Sequence, residues 1–232
     1  MLLLIDYSSL LFRSFHTLPP SIPMHAVYGF LNMLARLVTD RGPQHLAIAV
    51  DEDWRPAFRV EALPSYKTHR LSDEPDPIGP QEALGREVLT ALGVAVAGAE
   101  GFEAEDVIAT LAARAREPVE IVSGDRDLFA LVRDPKVRVL YPLTGVTKLL
   151  TVVAAEDLPP AVARRLAAAR EYLAAARRVV PPVADVRLPP LDLALPATPA
   201  HPRRLAQLVA THDLDTPLKR VRAALAAPAR RP

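Results

Sequence analysis

Carboxylates stand at four points in the first half of the chain where apolar runs end. Asp6 closes the run Leu2 to Ile5, and Asp51 closes His45 to Val50, with Asp53 just beyond. Glu103, Glu105 and Asp106 open an amphipathic stretch, and Asp125 and Asp127 follow Val119 to Val122 across Ser123-Gly124. Taken singly, each has an ordinary role. A strand-end aspartate caps the next helix, and acids in a first helical turn complement the helix dipole. Recurrence after nearly every expected strand goes beyond those roles. Two carboxylates about 5 Å apart repel by roughly 3 kcal/mol at an effective dielectric of about 20. Several in one crevice therefore call for cations. Oxygen ligands select Mg²⁺ or Mn²⁺ over zinc, and none of the 6 histidines sits at zinc-ligand spacing. Such ions lower the pKa of a bound water and stabilise a leaving oxygen, which points to phosphodiester hydrolysis.

The elements that must position these groups alternate. Strands are expected at Leu2 to Ile5, His45 to Val50, Val94 to Ala97, Val119 to Val122 and Val137 to Tyr141. Helical spacing covers Val27 to Val38, Gln81 to Leu92 and Ala104 to Arg116, with a helix after Ser8-Ser9 and a short one from Asp127 to Val132. The pattern predicts an α/β fold, a mostly parallel sheet with helices on both faces. Residues just beyond the carboxyl ends of neighbouring strands then converge on one crevice. No G-x-G-x-x-G follows the first strand, which leaves a dinucleotide-binding enzyme unsupported. After Val153 the texture turns to Ala, Arg and Pro. One long helix is expected over Glu156 to Arg178, an extended stretch over Val179 to Pro202, and short helices over Pro202 to His212 and Thr216 to Ala227.

Composition sets outer bounds. With 232 residues the chain can bury an ample core. It has no cysteine, which excludes disulfides, thiolate metal sites and cysteine nucleophiles. The lack fits a reducing cytoplasm, the expected location. The apolar start Met1 to Ile5 is too short for a membrane span or a signal-peptide core. A net charge of +1 hides an asymmetry, because arginines dominate after Val162. A nuclease with a carboxylate cluster and a basic rim has that distribution.

Several motifs, in order, resemble bacterial 5′→3′ exonucleases and flap endonucleases, including the 5′-nuclease domain of DNA polymerase I. They are Leu3-Leu4-Ile5-Asp6 with Phe12-Arg13-Ser14-Phe15-His16, Ala26 to Leu31, and Asp51 with Phe58-Arg59 and Pro64 to Arg70. Gly101-Phe102-Glu103-Ala104-Glu105-Asp106-Val107-Ile108 and Ser123-Gly124-Asp125-Arg126-Asp127-Leu128 complete the set. The resemblance implies a PIN-like 5′-nuclease core over residues 1–152, with residues 153–232 a shortened C-terminal helical region and tail packing on it. It implies that Asp6, Asp51, Glu103 and Glu105 hold a first Mg²⁺ or Mn²⁺, with Asp125 bridging and Asp127 serving a second ion. Asp106 joins the catalytic group. Lys67 would polarise the scissile phosphate, and Arg13, Lys67 and Arg70 would meet DNA phosphates. The implied partner is DNA, at 5′ ends, flaps or single strands, handled by a monomer in replication or repair. Glu105 stands where the family has aspartate, one methylene longer, which is expected to shift preference toward Mn²⁺.

The larger departure from the family lies further along the chain. A second acidic motif and a glycine-rich helical hairpin should follow, yet Gly145 is the last glycine. An internal deletion joining the flanks near Val152 to Asp157 accounts for this. Weakened second-metal binding and slower, more salt-sensitive action on DNA are the expected consequences. The alternatives are a catalytically impaired DNA-binding remnant and a PIN-type ribonuclease. Carboxylate repulsion also predicts that neutralising either Asp106 or Asp125 raises the melting temperature of the metal-free protein.

Overall fold

The computed structural model describes residues 1–71, 76–142 and 170–227. Five parallel strands, β1 (Leu2–Asp6), β2 (His45–Ala49), β3 (Ala95–Ala97), β4 (Val119–Val122) and β5 (Val137–Leu140), form one sheet in the order β3-β2-β1-β4-β5. The strands are near-continuous apolar runs because both faces are covered. Leu3, Ile5, Ile48 and Val122 face one core, while Leu2, Leu4, Ala47 and Ile121 face the other, as a period of two requires.

On the first face lie α1 (Tyr7–Thr17), α2 (His25–Arg41) and α4 (Gly79–Leu92). The second face is covered by α5 (Ala104–Arg114). The short α3 (Ala57–Ala62) lies between β2 and α4 in sequence. A Cβ at Gly85 would come within 1.9 Å of the Tyr7 hydroxyl, which donates to the Glu82 carbonyl at 2.9 Å. Only glycine permits this approach of α4 to the start of α1. The chain runs outward from β1 to β2 and β3, then returns to the far side of β1 for β4 and β5. The order therefore reverses between β1 and β4, and the crevice opens beyond their carboxyl ends.

The expected elements are present with small shifts. Helix α2 extends past Val27 to Val38 at both ends, closed by Gly42 at φ 54°. The short helix after Asp125 is a 3-10 turn, Asp127–Leu131. Of the long helix expected over Glu156 to Arg178, α6 (Arg170–Val179) is described and the remainder lies outside the described residues.

From Val179 an extended segment runs along α5. Thr110 Oγ1 donates to the Val183 carbonyl at 3.3 Å and accepts the Val186 amide at 3.1 Å, and Arg114 reaches the Val186 carbonyl at 2.7 Å. Further on, the Leu46 amide donates to the Leu193 carbonyl at 2.8 Å beside an antiparallel bridge from His45 to Ala194. Strand β3 pairs only with Ala47 to Ala49. The segment thus covers the edge that β3 leaves open at the start of β2. Two helices follow, α7 (Pro202–His212) and α8 (Asp215–Ala226), within one residue of the expected limits. Their Leu205, Leu208, Leu218 and Val221, with Leu214 between them, are buried in the core that α2 lines. No helix among the described residues is long and apolar enough to cross a membrane.

Candidate metal centre

Asp6 ends β1 and caps α1. Its Oδ1 accepts the Ser9 amide and the Ser8 hydroxyl, both at 3.2 Å, and its Oδ2 accepts Ser123 Oγ from the end of β4 at 2.6 Å. Burial, followed by repulsion from Asp51, pushes the Asp6 carboxyl up to about 6. Asp51, just past β2, accepts the Ala104 amide at 2.8 Å and so ties β2 to the first turn of α5. Asp6 caps the next helix as its type predicts, whereas Asp51 passes over α3, whose N-cap is Pro56, and bonds the start of α5 instead; in both cases the bond fixes where the carboxylate points.

Glu105, Asp125 and Asp127 place carboxylate oxygens within 4.8 Å of one another. The loop that carries the two aspartates is held from within. Ser123 Oγ accepts the Asp125 amide at 2.9 Å, Asp125 Oδ1 accepts the Asp127 amide at 2.9 Å, and the Gly124 amide donates to Ser9 Oγ at 2.7 Å. Burial pushes Glu105 up to about 8, with Glu103 adding to it, Arg59 opposing and Asp125 adding a little more. Asp127 is raised by burial and by Asp125. Glu103 is raised by burial, against the pull of Lys67, Arg59 and Tyr66. These carboxyls are short of positive charge. An oxygen-only donor set, with Glu105 buried, Asp125 and Asp127 half-buried and an excess of negative charge, fits a hard divalent cation.

The other expected residues are distributed unevenly around this group. Lys67, in a left-handed conformation at φ 50°, pairs with Glu103, which also accepts the Tyr66 hydroxyl at 2.9 Å. Arg13 donates to the Pro142 carbonyl at 3.0 Å, and Arg70 is exposed in the 3-10 turn Thr68–Arg70. Asp106 is turned away from the cluster. Both its oxygens take the Arg59 guanidinium, at 2.7 and 2.9 Å, and it also accepts the Glu103 and Val183 amides at 3.2 and 2.7 Å. With no oxygen to spare, it closes the capping box of α5 and is placed as a structural partner of Arg59.

Arg59 itself was assigned no role from its sequence. It is fully buried, and burial opposes its charge, but Asp106, Glu105 and Glu103 outweigh that and hold it above the ordinary arginine value. The sequence offers only the Phe58-Arg59 pair of the family motif at this position, which names no partner for the arginine.

A parallel α/β sheet that gathers carboxylates beyond the ends of its central strands is the architecture of a metal-dependent nuclease domain. Residues 1–159 match the family described as 5′-3′ exonuclease, N-terminal resolvase-like domain. The chain belongs to this 5′-3′ exonuclease family. It is 36% identical over 301 residues to a 5′-3′ exonuclease of Streptomyces coelicolor, covering 97% of this chain and 100% of the relative. A 5′-3′ exonuclease of Mycobacterium tuberculosis is 46% identical over 167 residues, 63% of this chain and 52% of that protein. The chain thus spans the whole of one relative and about half of the other. A flap endonuclease of bacteriophage T5, solved with DNA and metal ions, is 22% identical with a TM-score of 0.48, over 60% of this chain and 54% of that one.

The Streptomyces alignment extends over 301 residues although the chain has 232, so at least 69 aligned positions of the relative face a gap here. Because both proteins are covered almost from end to end, that shortfall falls inside the alignment. The expected internal deletion accounts for a gap of this kind.

Proposed function

We propose that this chain is a Mg²⁺- or Mn²⁺-dependent 5′-nuclease that hydrolyses phosphodiester bonds in DNA at 5′ ends and flaps, as a monomer in the cytoplasm. The observation that carries this reading is the approach of Glu105, Asp125 and Asp127 to within 4.8 Å, beside Asp6 at the β1–β4 seam. Residues 1–152 form the catalytic core in this reading, and residues 153–232 the shortened C-terminal region.

Asp6, Asp51, Glu103, Glu105, Asp125 and Asp127 would hold the cation, which when bound supplies an activated water and charge stabilisation for the leaving oxygen. Asp6 is aimed by its helix cap, Asp51 by its bond to the start of α5, and Asp125 and Asp127 by the Ser123 loop. Lys67 is tethered to Glu103 of this group. Once released from that carboxylate, its ammonium meets a phosphate oxygen. Arg13 and Arg70 meet further phosphates of the DNA. Asp106 contributes by fixing the first turn of α5 rather than by touching substrate.

The gap of at least 69 positions favours a second reading, a chain that grips DNA and cuts it slowly or not at all. Incubation of a 5′-labelled flap DNA, and of RNA of the same sequence, with Mg²⁺ or Mn²⁺ separates the cases. Cleavage of DNA that EDTA stops supports the nuclease. Binding without cleavage supports the second reading, and preferential cleavage of RNA indicates a ribonuclease.

A further inference from the structure

Arg59 carries a full positive charge into a site where no part of its side chain reaches water. Its donors are spread over four residues. Nη1 lies 2.9 Å from Asp106 Oδ2 and 3.1 Å from Glu103 Oε1, and Nη2 lies 2.7 Å from Asp106 Oδ1 and 3.1 Å from Glu105 Oε1. Nε donates to the Val179 carbonyl at 2.9 Å. The rings of Phe58 and Tyr66 lie 5.1 and 5.9 Å from the guanidinium carbon and close the remaining sides.

A buried ion pair contributes little net stability compared with an apolar pair of the same volume. Stability alone therefore gives no reason for an arginine at this position. Its reach gives one. The shorter contacts go to Asp106, which lies outside the metal group, and the longer ones to a single oxygen each of Glu103 and Glu105. Glu105 Oε2 is left without a hydrogen-bond partner among the described residues and remains open to a cation.

We propose that Arg59 is a positioning residue for the metal centre. Clamped by Asp106 and the Val179 carbonyl, it holds Glu103 and Glu105 in place against their mutual repulsion while no cation is bound. The planar fork is required for this, because one ammonium cannot span acceptors on four residues. The same clamp joins the site to the C-terminal segment, since Asp106 also accepts the Val183 amide at 2.7 Å. Linkage is reciprocal, so a cation that tightens Glu103 and Glu105 also tightens the Val179 to Val183 contact. The inference rests on the reading of these carboxylates as a cation site.

Mn²⁺ affinity, measured by isothermal titration on the full chain, tests both levels separately. Glu105→Gln should abolish tight Mn²⁺ binding; if it binds as the wild type does, the cation-site reading fails. Arg59→Lys keeps the charge and should weaken Mn²⁺ binding by about 10- to 100-fold with an unchanged circular dichroism spectrum, the range seen when support behind a ligand is lost. If Arg59→Lys matches the wild type while Glu105→Gln does not bind, the cation site stands and the role of Arg59 is overturned. Should Arg59→Lys fail to fold, hydrogen exchange of the wild type decides. Saturating Mn²⁺ should slow exchange of the Val183 amide, and unchanged exchange overturns the proposal.

Discussion

Ser123 Oγ donates to Asp6 Oδ2 at 2.6 Å and accepts the Asp125 amide at 2.9 Å. One hydroxyl at the end of β4 therefore sets the carboxylate at the end of β1 and starts the loop that presents Asp125 and Asp127. The two central strands meet at this atom. Its bond to Asp6 favours the ionised carboxylate and works against the upward push of burial.

Ser123→Ala removes that bond and orphans the Asp125 amide. We expect a loss of roughly 1–3 kcal/mol in unfolding free energy, measured by urea denaturation. Asp6 should then hold its proton to a higher pH than about 6. Mn²⁺ affinity should accordingly fall more at pH 6 than at pH 8.

The metal-free protein should lose stability as pH rises. A carboxyl whose pKa is raised on folding binds its proton more tightly in the folded state. Its contribution is greatest below the unfolded value and is lost as pH climbs through the folded one. Asp6 is raised from 3.8 to about 6, and Glu105 from 4.5 to about 8. The Asp6 shift alone corresponds to roughly 3 kcal/mol. Melting temperature in EDTA should decline between about pH 4 and pH 8, and Mg²⁺ at pH 8 should restore it. A melting temperature that rises through this range would contradict the account.

Neutralising two aspartates should act in opposite directions. Asp125→Asn relieves repulsion with Asp127, worth about 3 kcal/mol at an effective dielectric of about 20, and should raise the melting temperature of the metal-free protein. Asp106→Asn strands the buried Arg59 and should lower stability by about 3–5 kcal/mol. From sequence alone both substitutions are expected to stabilise, because carboxylates gathered in one crevice repel one another without a cation. The Arg59 fork reverses the sign for Asp106. Thermal melts of the two variants in EDTA check both directions.

The approach of Glu105, Asp125 and Asp127 was legible because these residues stand just past apolar runs, and strands of a parallel sheet end on one side. Helices α7 and α8 were legible from their apolar spacing and from Pro202 at the start of the first. Arg59 was not, since its partners lie 44 to 120 residues away and local spacing cannot show which carboxylate a buried arginine meets. Nor was the bond from Leu46 to Leu193, because a proline-rich segment carries no strand periodicity to reveal a single pairing. Lys67 was legible as a basic residue near the site, but its tether to Glu103 depends on the turn that places it in a left-handed conformation.

The most direct measurement is the single-turnover rate of 5′-flap DNA cleavage in Mg²⁺ for the wild type and for Asp125→Ala, together with the DNA affinity of each. The account predicts metal-dependent cleavage that falls by roughly two to four orders of magnitude in the variant, as removal of several kcal/mol of transition-state stabilisation requires, with DNA binding nearly unchanged. Equal cleavage rates for the two proteins would contradict it, because the carboxylates gathered at the β1–β4 seam would then not be the groups that cut.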